Sequence, residues 1–385
     1  DLHSFPTRRS SDLHIGEGCG DCVVQSSCIA VEPVDTAFGR KRRINQHACN
    51  ADLSCAKGLC PSFIEVEAPT HQRQVRAGGD ALEAQWLASL PSPPACEPAA
   101  ASYNIYVAGI GGTGVLTTGA LLGMAAHLEG RRASVLDFTG LAQKNGGVVS
   151  QVRIAPATAP FGTVRIGDAA ADLVIASDIL VAGTPDALAK LDRSRTACVI
   201  SLDEAPTADM LRAGETELPV AALLEAVSGA SNPQRCFTLR ATTLTQAVLG
   251  DAVATNTLLL GYAWQRGLIP LAAASILRAI ELNGVAVPAN QRAFAWGRIA
   301  AVDPAGIDRF LGAGAAPPAR MLTLDAFVQQ RTAELARYQS AAYAREYGKL
   351  VDLARRAGEA VSDRDAKLAR AVATHAFPEI GRAHV

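Results

Sequence analysis

The chain has no apolar run long enough to cross a membrane. The longest candidate, Leu258–Leu282, is broken by Gln265, Arg266 and Pro270, whereas a bilayer span needs about 18 apolar residues in succession. An excess of charge is missing too. Its 36 Lys and Arg stand against 37 Asp and Glu, so the basic surplus that nucleic-acid binding calls for is absent. With 49% of residues hydrophobic, it is not core-poor in the way a disordered chain is. There is no signal peptide and no repeat of solenoid length, which leaves a cytoplasmic, globular protein as the expectation. At 385 residues it exceeds what one core usually supports, so two or three domains are expected.

What the sequence does have is clustered cysteine. Six of its nine cysteines fall between Cys19 and Cys60, while Cys96, Cys198 and Cys236 are scattered. The spacing is Cys19-x2-Cys22-x5-Cys28 followed by Cys49-x5-Cys55-x4-Cys60-Pro61. Thiolates at Cys19 and Cys22 can grip one group from a single turn of loop, and a distant Cys-Pro can close the cage. Gly16, Gly18 and Gly20 allow tight turns whose amides can point at inorganic sulfur. A disulfide framework would need an oxidising compartment, which nothing signals. A zinc site would favour a second close pair, which is missing, and a zinc-stapled, non-enzymatic interaction module stays as an alternative reading. An iron–sulfur cluster suits the mixed spacings, with Cys19, Cys22, Cys28, Cys49, Cys55 and Cys60 as candidate ligands. His14 and His47 are further conceivable ligands, or simply exposed side chains. The basic run Arg40, Lys41, Arg42, Arg43 reads as a solvated hairpin or as a docking patch for an acidic electron acceptor.

Both ends look foreign. Asp1–Leu13 shows neither helical nor strand period, and its Ser4–Leu13 part resembles the conceptual translation of a sequencing adapter. Ile380–Val385 resembles that of the partner adapter. Residues 1–13 and 380–385 are therefore set apart as artefacts, with both natural termini expected to be missing.

Residues 67–102 lose periodicity and gather Pro91, Pro93, Pro94 and Pro98, which predicts a linker. Apolar runs at Ile105–Ala108 and at Ala133–Phe138, a second buried-strand candidate, flank a helix from about Gly114 to His127, a β-α-β opening. Strand-like runs at Leu173–Ala176 and Cys198–Leu202 extend the alternation. The fold class is α/β, a Rossmann-like, mainly parallel sheet covered by helices. Leu322–Arg337 and Ala341–Arg356 then read as helices.

Gly109, Gly111, Gly112 and Gly114 form a G-x-G-x-x-G turn directly after a strand, and Asp137 ends the next strand where a dinucleotide site would place its ribose carboxylate. Taken alone this points to a nicotinamide cofactor, although the same glycines can serve only to pack a helix tightly on a sheet. No hydride-transfer constellation follows. Instead a loop containing Gln143, Lys144, Asn145, Gly146 and Gly147 leads into another strand. Asp178 can be read as a cap, Cys198 as an inert core thiol, and Trp264 and Trp296 as packing residues.

The runs Glu17–Cys22, Ser27–Cys28, Phe38–Ile44 and Cys55–Phe63 resemble the ferredoxin-like segment of indolepyruvate ferredoxin oxidoreductases. In that family a first ligand stands where this chain has Gly16. The glycine turn resembles the gamma domain of 2-oxoacid:acceptor oxidoreductases when taken with Gln143–Gly147, Ser150, Arg153, Ala176–Asp178, Asn256, Asn290 and Gly297–Arg298. The resemblance implies a ferredoxin-like segment over 14–66, a gamma-like domain over 103–302 and a helical segment over 303–379. It implies oxidative decarboxylation of an aryl 2-oxoacid to its acyl-CoA, with 4Fe-4S clusters passing electrons to ferredoxin. Thiamine diphosphate, magnesium and coenzyme A would enter only in the full-length enzyme, expected to be a homo-oligomer, through its thiamine-binding domains. A Gly-Asp-Gly…Asn thiamine stretch is not found in these residues, so the fragment alone is expected to be inactive. Candidate cofactor-binding residues are Gly109, Gly111, Gly112, Gly114, Asp137, Gln143, Gly146 and Gly147. No catalytic residue is assigned.

Overall fold

A computed structural model describes residues 7–13, 15–16, 18–26, 28, 30–36, 39–46, 49, 53, 55, 60, 62–67, 79–96, 102–111, 113–139, 147–159, 163–203, 219–312, 322–360 and 366–382. They fall into two compact units, residues 69–314 and residues 1–68 with 315–385.

The cysteine segment is built from β1 (Thr7–Ser11), α1 (Asp21–Ser26), β2 (Val31–Thr36), β3 (Gly39–Ile44) and β4 (Phe63–Glu67). β1 pairs antiparallel with β4, and β2 with β3. The pairing of Thr7–Ser11 departs from the absence of strand period there. Ladder hydrogen bonds come from the backbone, so a stretch without apolar alternation can still pair along a partner's edge.

In the other unit, α2 (Gly79–Ser89) lies within the stretch expected as a linker. Its Trp86 meets Trp296 edge-on at 5.6 Å, and Glu83 accepts hydrogen bonds from Arg292 and from the Trp296 indole at 2.7 and 2.8 Å. There follow β5 (Tyr103–Ile110), α3 (Val115–Leu128), β6 (Arg132–Thr139), β7 (Gly147–Ala155) and β8 (Leu173–Ala176). Next come α4 (Ile179–Ala182), α5 (Pro185–Ala189), β9 (Ala197–Ser201), α6 (Val220–Ala230) and β10 (Cys236–Leu239). The unit closes with α7 (Ala241–Leu249), α8 (Thr255–Gln265), α9 (Ala273–Asn283), α10 (Val287–Val302) and α11 (Pro304–Gly312).

The sheet order is β10-β9-β8-β5-β7-β6. β7 alone runs against its neighbours, pairing antiparallel with both β5 and β6, while β10, β9, β8 and β5 pair in parallel. The β-α-β opening is therefore present in sense, but β7 separates its two strands. β6 was expected to be buried. It is an edge strand with mostly exposed side chains, because only β7 flanks it.

Two-residue periodicity places the central strands in two cores. Ile105, Val107, Leu173, Ile175, Ala197 and Val199 face one helical layer; Tyr106, Ala108, Val174, Ala176, Cys198 and Ile200 face the other. Each large aliphatic side chain buried in this way contributes roughly 1.5–3 kcal/mol. The apolar run that begins at Leu258 is a core helix, α8, whose Leu258, Leu259 and Leu260 are fully buried. It crosses α10 closely, since a Cβ at Gly297 would stand 1.9 Å from the Leu258 carbonyl oxygen. Among the described residues no helix is long and apolar enough to cross a membrane.

The C-terminal helices are α12 (Leu324–Tyr338), α13 (Ala341–Ala360) and α14 (Lys367–Arg382). Leu335, Tyr347, Val351 and Ala373 form their core, and the Tyr347 hydroxyl donates to the Ala373 carbonyl at 2.9 Å. Arg331, buried, stacks on Phe327 and Phe377 at 3.9 and 4.8 Å.

Candidate functional site

The glycine turn joins β5 to α3 at the carboxyl edge of the sheet. Gly114 has φ +85°, a left-handed conformation that a side chain would strain, and it starts α3 without a side-chain cap. A Cβ at Gly109 would fall 2.0 Å from the Ser177 hydroxyl. That closeness reflects a polar cluster beneath the turn. Thr113 Oγ1 donates to the Ile110 carbonyl at 2.7 Å and lies 3.1 Å from Ser177 Oγ. The Asn256 amide donates to the Thr113 carbonyl at 2.6 Å and reaches Thr113 Oγ1 and Ser177 Oγ at 3.1 and 3.2 Å. Asn256 is fully buried and its Oδ1 has no partner. The cluster fixes the turn, and the helix N-terminus above it is electropositive and suited to an anion.

Gly147 lies directly opposite Ile110 in the ladder, so it stands beside the start of the glycine turn. Gly111 sits half-buried in the turn. Gly112, Gln143, Lys144, Asn145 and Gly146 lie outside the described residues. Asp137 is not brought to the turn. It pairs with Ser150, which in turn pairs with Val107, so two ladder steps of about 4.8 Å separate its strand from β5. The inserted β7 removes the adjacency on which the ribose reading depended, and Asp137 is exposed on the edge strand.

The remaining residues of the pattern serve the scaffold. Asp178 is the N-cap of α4 and accepts from the Val181 amide at 3.1 Å. Burial raises its carboxyl above the ordinary range, opposed by the Val181 and Leu180 amides. Arg153 ties Asn104 and Ser102 together at 3.0 and 3.1 Å. Asn290 accepts from Thr257 at 2.9 Å, and Arg298 stacks on Trp264 at 4.9 Å. Thr113 was not singled out in the sequence, although a hydroxyl residue between two glycines of such a turn is its visible signal.

In the cysteine segment, Cys22 opens α1 and is 4% exposed. Its thiol is pushed up to about 11, by burial first and then by Cys60 and Cys19, while Arg42 acts in the opposite sense. Cys19, Cys22 and Cys60 thus share one electrostatic neighbourhood. Cys60 Sγ is 3.0 Å from the Ser62 hydroxyl. Cys55 is buried, and Cys28 and Cys49 are half-buried. Among the described residues no three His, Cys, Asp or Glu side chains converge tightly enough to hold one metal ion.

The basic run does not face outward as a whole, and the side chain of Arg40 lies outside the described residues. Lys41 is buried and donates to the Gly16 carbonyl. Arg42 lies against Gly20, with Nε and Nη1 buried and unpartnered. Arg43 is exposed but pairs with Glu32 at 2.7 Å. A guanidinium partly withdrawn from water without a counter-ion is costly, and next to the Cys22 thiol it suits an anionic, thiolate-bound group. His14 and His47 lie outside the described residues.

A mainly parallel sheet covered on both faces, with a glycine turn at its carboxyl edge, defines an α/β domain of Rossmann-like class. Residues 104–300, half of the chain, match the family described as pyruvate ferredoxin/flavodoxin oxidoreductase. The chain belongs to that family and is part of an oxidoreductase. It is 27% identical over 195 residues to indolepyruvate oxidoreductase subunit IorB of Methanothermobacter thermautotrophicus, covering 50% of this chain and 94% of that subunit. To the subunit of the same name from Thermococcus kodakarensis it is 43% identical over 51 residues, 13% of this chain and 25% of that one. Among solved structures it is similar to the gamma subunit of keto/oxoacid ferredoxin oxidoreductase from Geobacter sulfurreducens PCA. There the identity is 17% and the TM-score 0.37, over 52% of this chain and 98% of that one.

Proposed function

We propose that this chain is the electron-transfer and gamma-type portion of a 2-oxoacid:ferredoxin oxidoreductase acting on aryl 2-oxoacids such as indolepyruvate. In that reaction a 2-oxoacid and coenzyme A give an acyl-CoA and carbon dioxide, and two electrons leave for ferredoxin. The observation that carries the reading is the presence on one chain of a family-matched gamma-type domain and a segment where Cys60, Cys19 and Arg42 all act on the buried Cys22 thiol. The names of the IorB relatives support the aryl substrate class.

A 4Fe-4S cluster bound by these thiolates would pass single electrons. A cluster spreads its thiolates more widely than one ion does, which suits three thiols that share a field without forming a tight shell. Cys28, Cys49 and Cys55 would complete that set or serve a second cluster. Lys41 and Arg42 would hold the anionic group from the hairpin side, and Gly109–Gly114 with Gly147 would form one wall of the crevice facing the thiamine-binding domains. Carbanion chemistry on thiamine diphosphate, with magnesium, belongs to those domains. Residues 14–66 and 103–302 are the two working portions on this reading, in a cytoplasmic, homo-oligomeric enzyme. The nicotinamide alternative is weakened by the position of Asp137.

The test is the iron, zinc and acid-labile sulfide content of anaerobically purified protein, with EPR spectra after reduction. Iron and sulfide in near-equal amounts with a cubane signal are expected, and the isolated chain should neither bind thiamine diphosphate nor turn over indolepyruvate. Stoichiometric zinc without sulfide would overturn the electron-transfer assignment. Turnover by the isolated chain would overturn the division of labour.

A further inference from the structure

Away from the glycine turn and the cysteine segment, Cys198 and Cys236 stand directly opposite one another on the neighbouring parallel strands β9 and β10. Paired residues of one ladder point to the same face, and here both cysteines pack in the core on the α4 and α6 side. Strands lie about 4.8 Å apart, within the roughly 4.4–6.8 Å that Cα atoms span in a disulfide. Both are free thiols in the structure. Cys198 is fully buried, whereas Cys236 is partly open to solvent because β10 is the edge of the sheet.

We propose that Cys198 and Cys236 form a dithiol site for thiol–disulfide exchange, with Cys236 as the attacking sulfur and Cys198 as the resolving one. The surroundings favour that division. The facing Cys198 thiol holds Cys236 below the ordinary thiol value, while Cys198 is itself raised, by Cys236 first and by burial second. Ser231, at the end of α6, adds a fully buried hydroxyl that acts on both sulfurs without closing a well-aligned hydrogen bond. The more acidic thiol is thus also the accessible one, which is the arrangement exchange requires.

The co-reactant is a low-molecular-weight disulfide. The Cys236 thiolate attacks one of its sulfurs, a mixed disulfide forms, and one small thiolate leaves. The Cys198 sulfur, giving up its proton, then attacks Cys236 Sγ and displaces the second small thiol. The protein dithiol loses two electrons and two protons, and the small disulfide becomes two thiols. The new bond ties the edge strand β10 to the sheet. A dithiol reductant reverses it.

The test uses the purified chain, reduced and then incubated anaerobically under native conditions with hydroxyethyl disulfide. After acid quenching and alkylation its peptides are mapped. A reducible crosslink between the Cys198 and Cys236 peptides is expected, together with a higher melting temperature. In Cys198→Ala the mercaptoethanol adduct should persist on Cys236, and in Cys236→Ser Cys198 should remain a thiol. Recovery of both residues as alkylated thiols in the native protein would overturn the proposal. So would a wild-type adduct on Cys236 that never resolves, or crosslinks from either residue to cysteines of the N-terminal segment in place of this one. Mapping reads each peptide separately, so the result does not depend on whether that segment holds a cluster.

Discussion

β5, β8 and β9 bury every side chain on both faces of the sheet, whereas β2 and β3 of the cysteine segment bury Val31 and Ile44 at one end and carry Lys41, Arg42 and Arg43 along the rest. The first arrangement is held by apolar area. Among the described residues, the second buries little besides Cys22, Val23, Ala30, Val31, Lys41, Ile44, Cys55 and Ser62, and some of that burial is of thiols and a cation. Segments of such size rarely reach stability on a core alone and commonly depend on a bound metal group. The contrast teaches that sheet residues are replaceable by shape, while those of the cysteine segment, on the proposed function, are replaceable only by charge and ligand chemistry.

The strongest way to sharpen that contrast is Gly297→Ala. The added methyl would meet the Leu258 carbonyl oxygen, a backbone atom that cannot rotate away, and should cost about 3 kcal/mol by forcing α8 and α10 apart. Denaturant melts followed by circular dichroism should report the loss, with iron per folded chain unchanged. Parallel loss of iron would break the comparison.

A smaller effect is expected for Arg42→Met. If the proposed cluster is bound, removing the cation should lower its reduction potential by tens of millivolts, about 60 mV for each tenfold change in the one-electron equilibrium. EPR-monitored titration reads this, and Arg42→Lys should recover most of it. An unchanged potential would leave Arg42 as a packing residue only.

The smallest effect belongs to Asp178→Asn. Burial raises the folded-state carboxyl above its ordinary 3.8, so its contribution to stability is complete below that value and is lost as pH rises through the higher folded value. Asparagine keeps the cap without ionising. The variant should match wild type in acid and exceed it at neutral pH by less than about 1 kcal/mol. Equal stability at both pH values would show that the cap's amide bonds cancel the burial penalty.

Much of the sheet was legible in the sequence because alternation and apolar runs mark strands wherever both faces are covered. Ile105–Ala108, Leu173–Ala176 and Cys198–Leu202 were read within a few residues. Strand direction carries no such mark. The antiparallel course of β7 follows from which neighbour it joins, and with it went the expected place of Asp137. Helix α2 was hidden by neighbouring prolines, since its signal is a set of contacts of Trp86 and Glu83 with Trp296 and Arg292, more than 200 positions away. The glycine turn was visible, but its lock by Ser177 and Asn256 depends on segments 64 and 143 residues from Thr113. The pairing of Cys198 with Cys236 depends in the same way on the order of strands. The basic run showed its charge but not its direction, which the β2–β3 register sets.

The backward course of β7 has one more consequence. A parallel neighbour would have needed a helix to carry the chain back across the sheet, and any change in that connection would have disturbed a packed layer. β6 and β7 instead pair directly with each other, Thr139 opposite Val148, and need only a connection that crosses no helical layer. Its length can grow or shrink while the strand order, the helices and the turn stay as they are. The connection after Thr139 is therefore free to diversify between relatives, and the glycine turn, fixed by buried hydrogen bonds, is not.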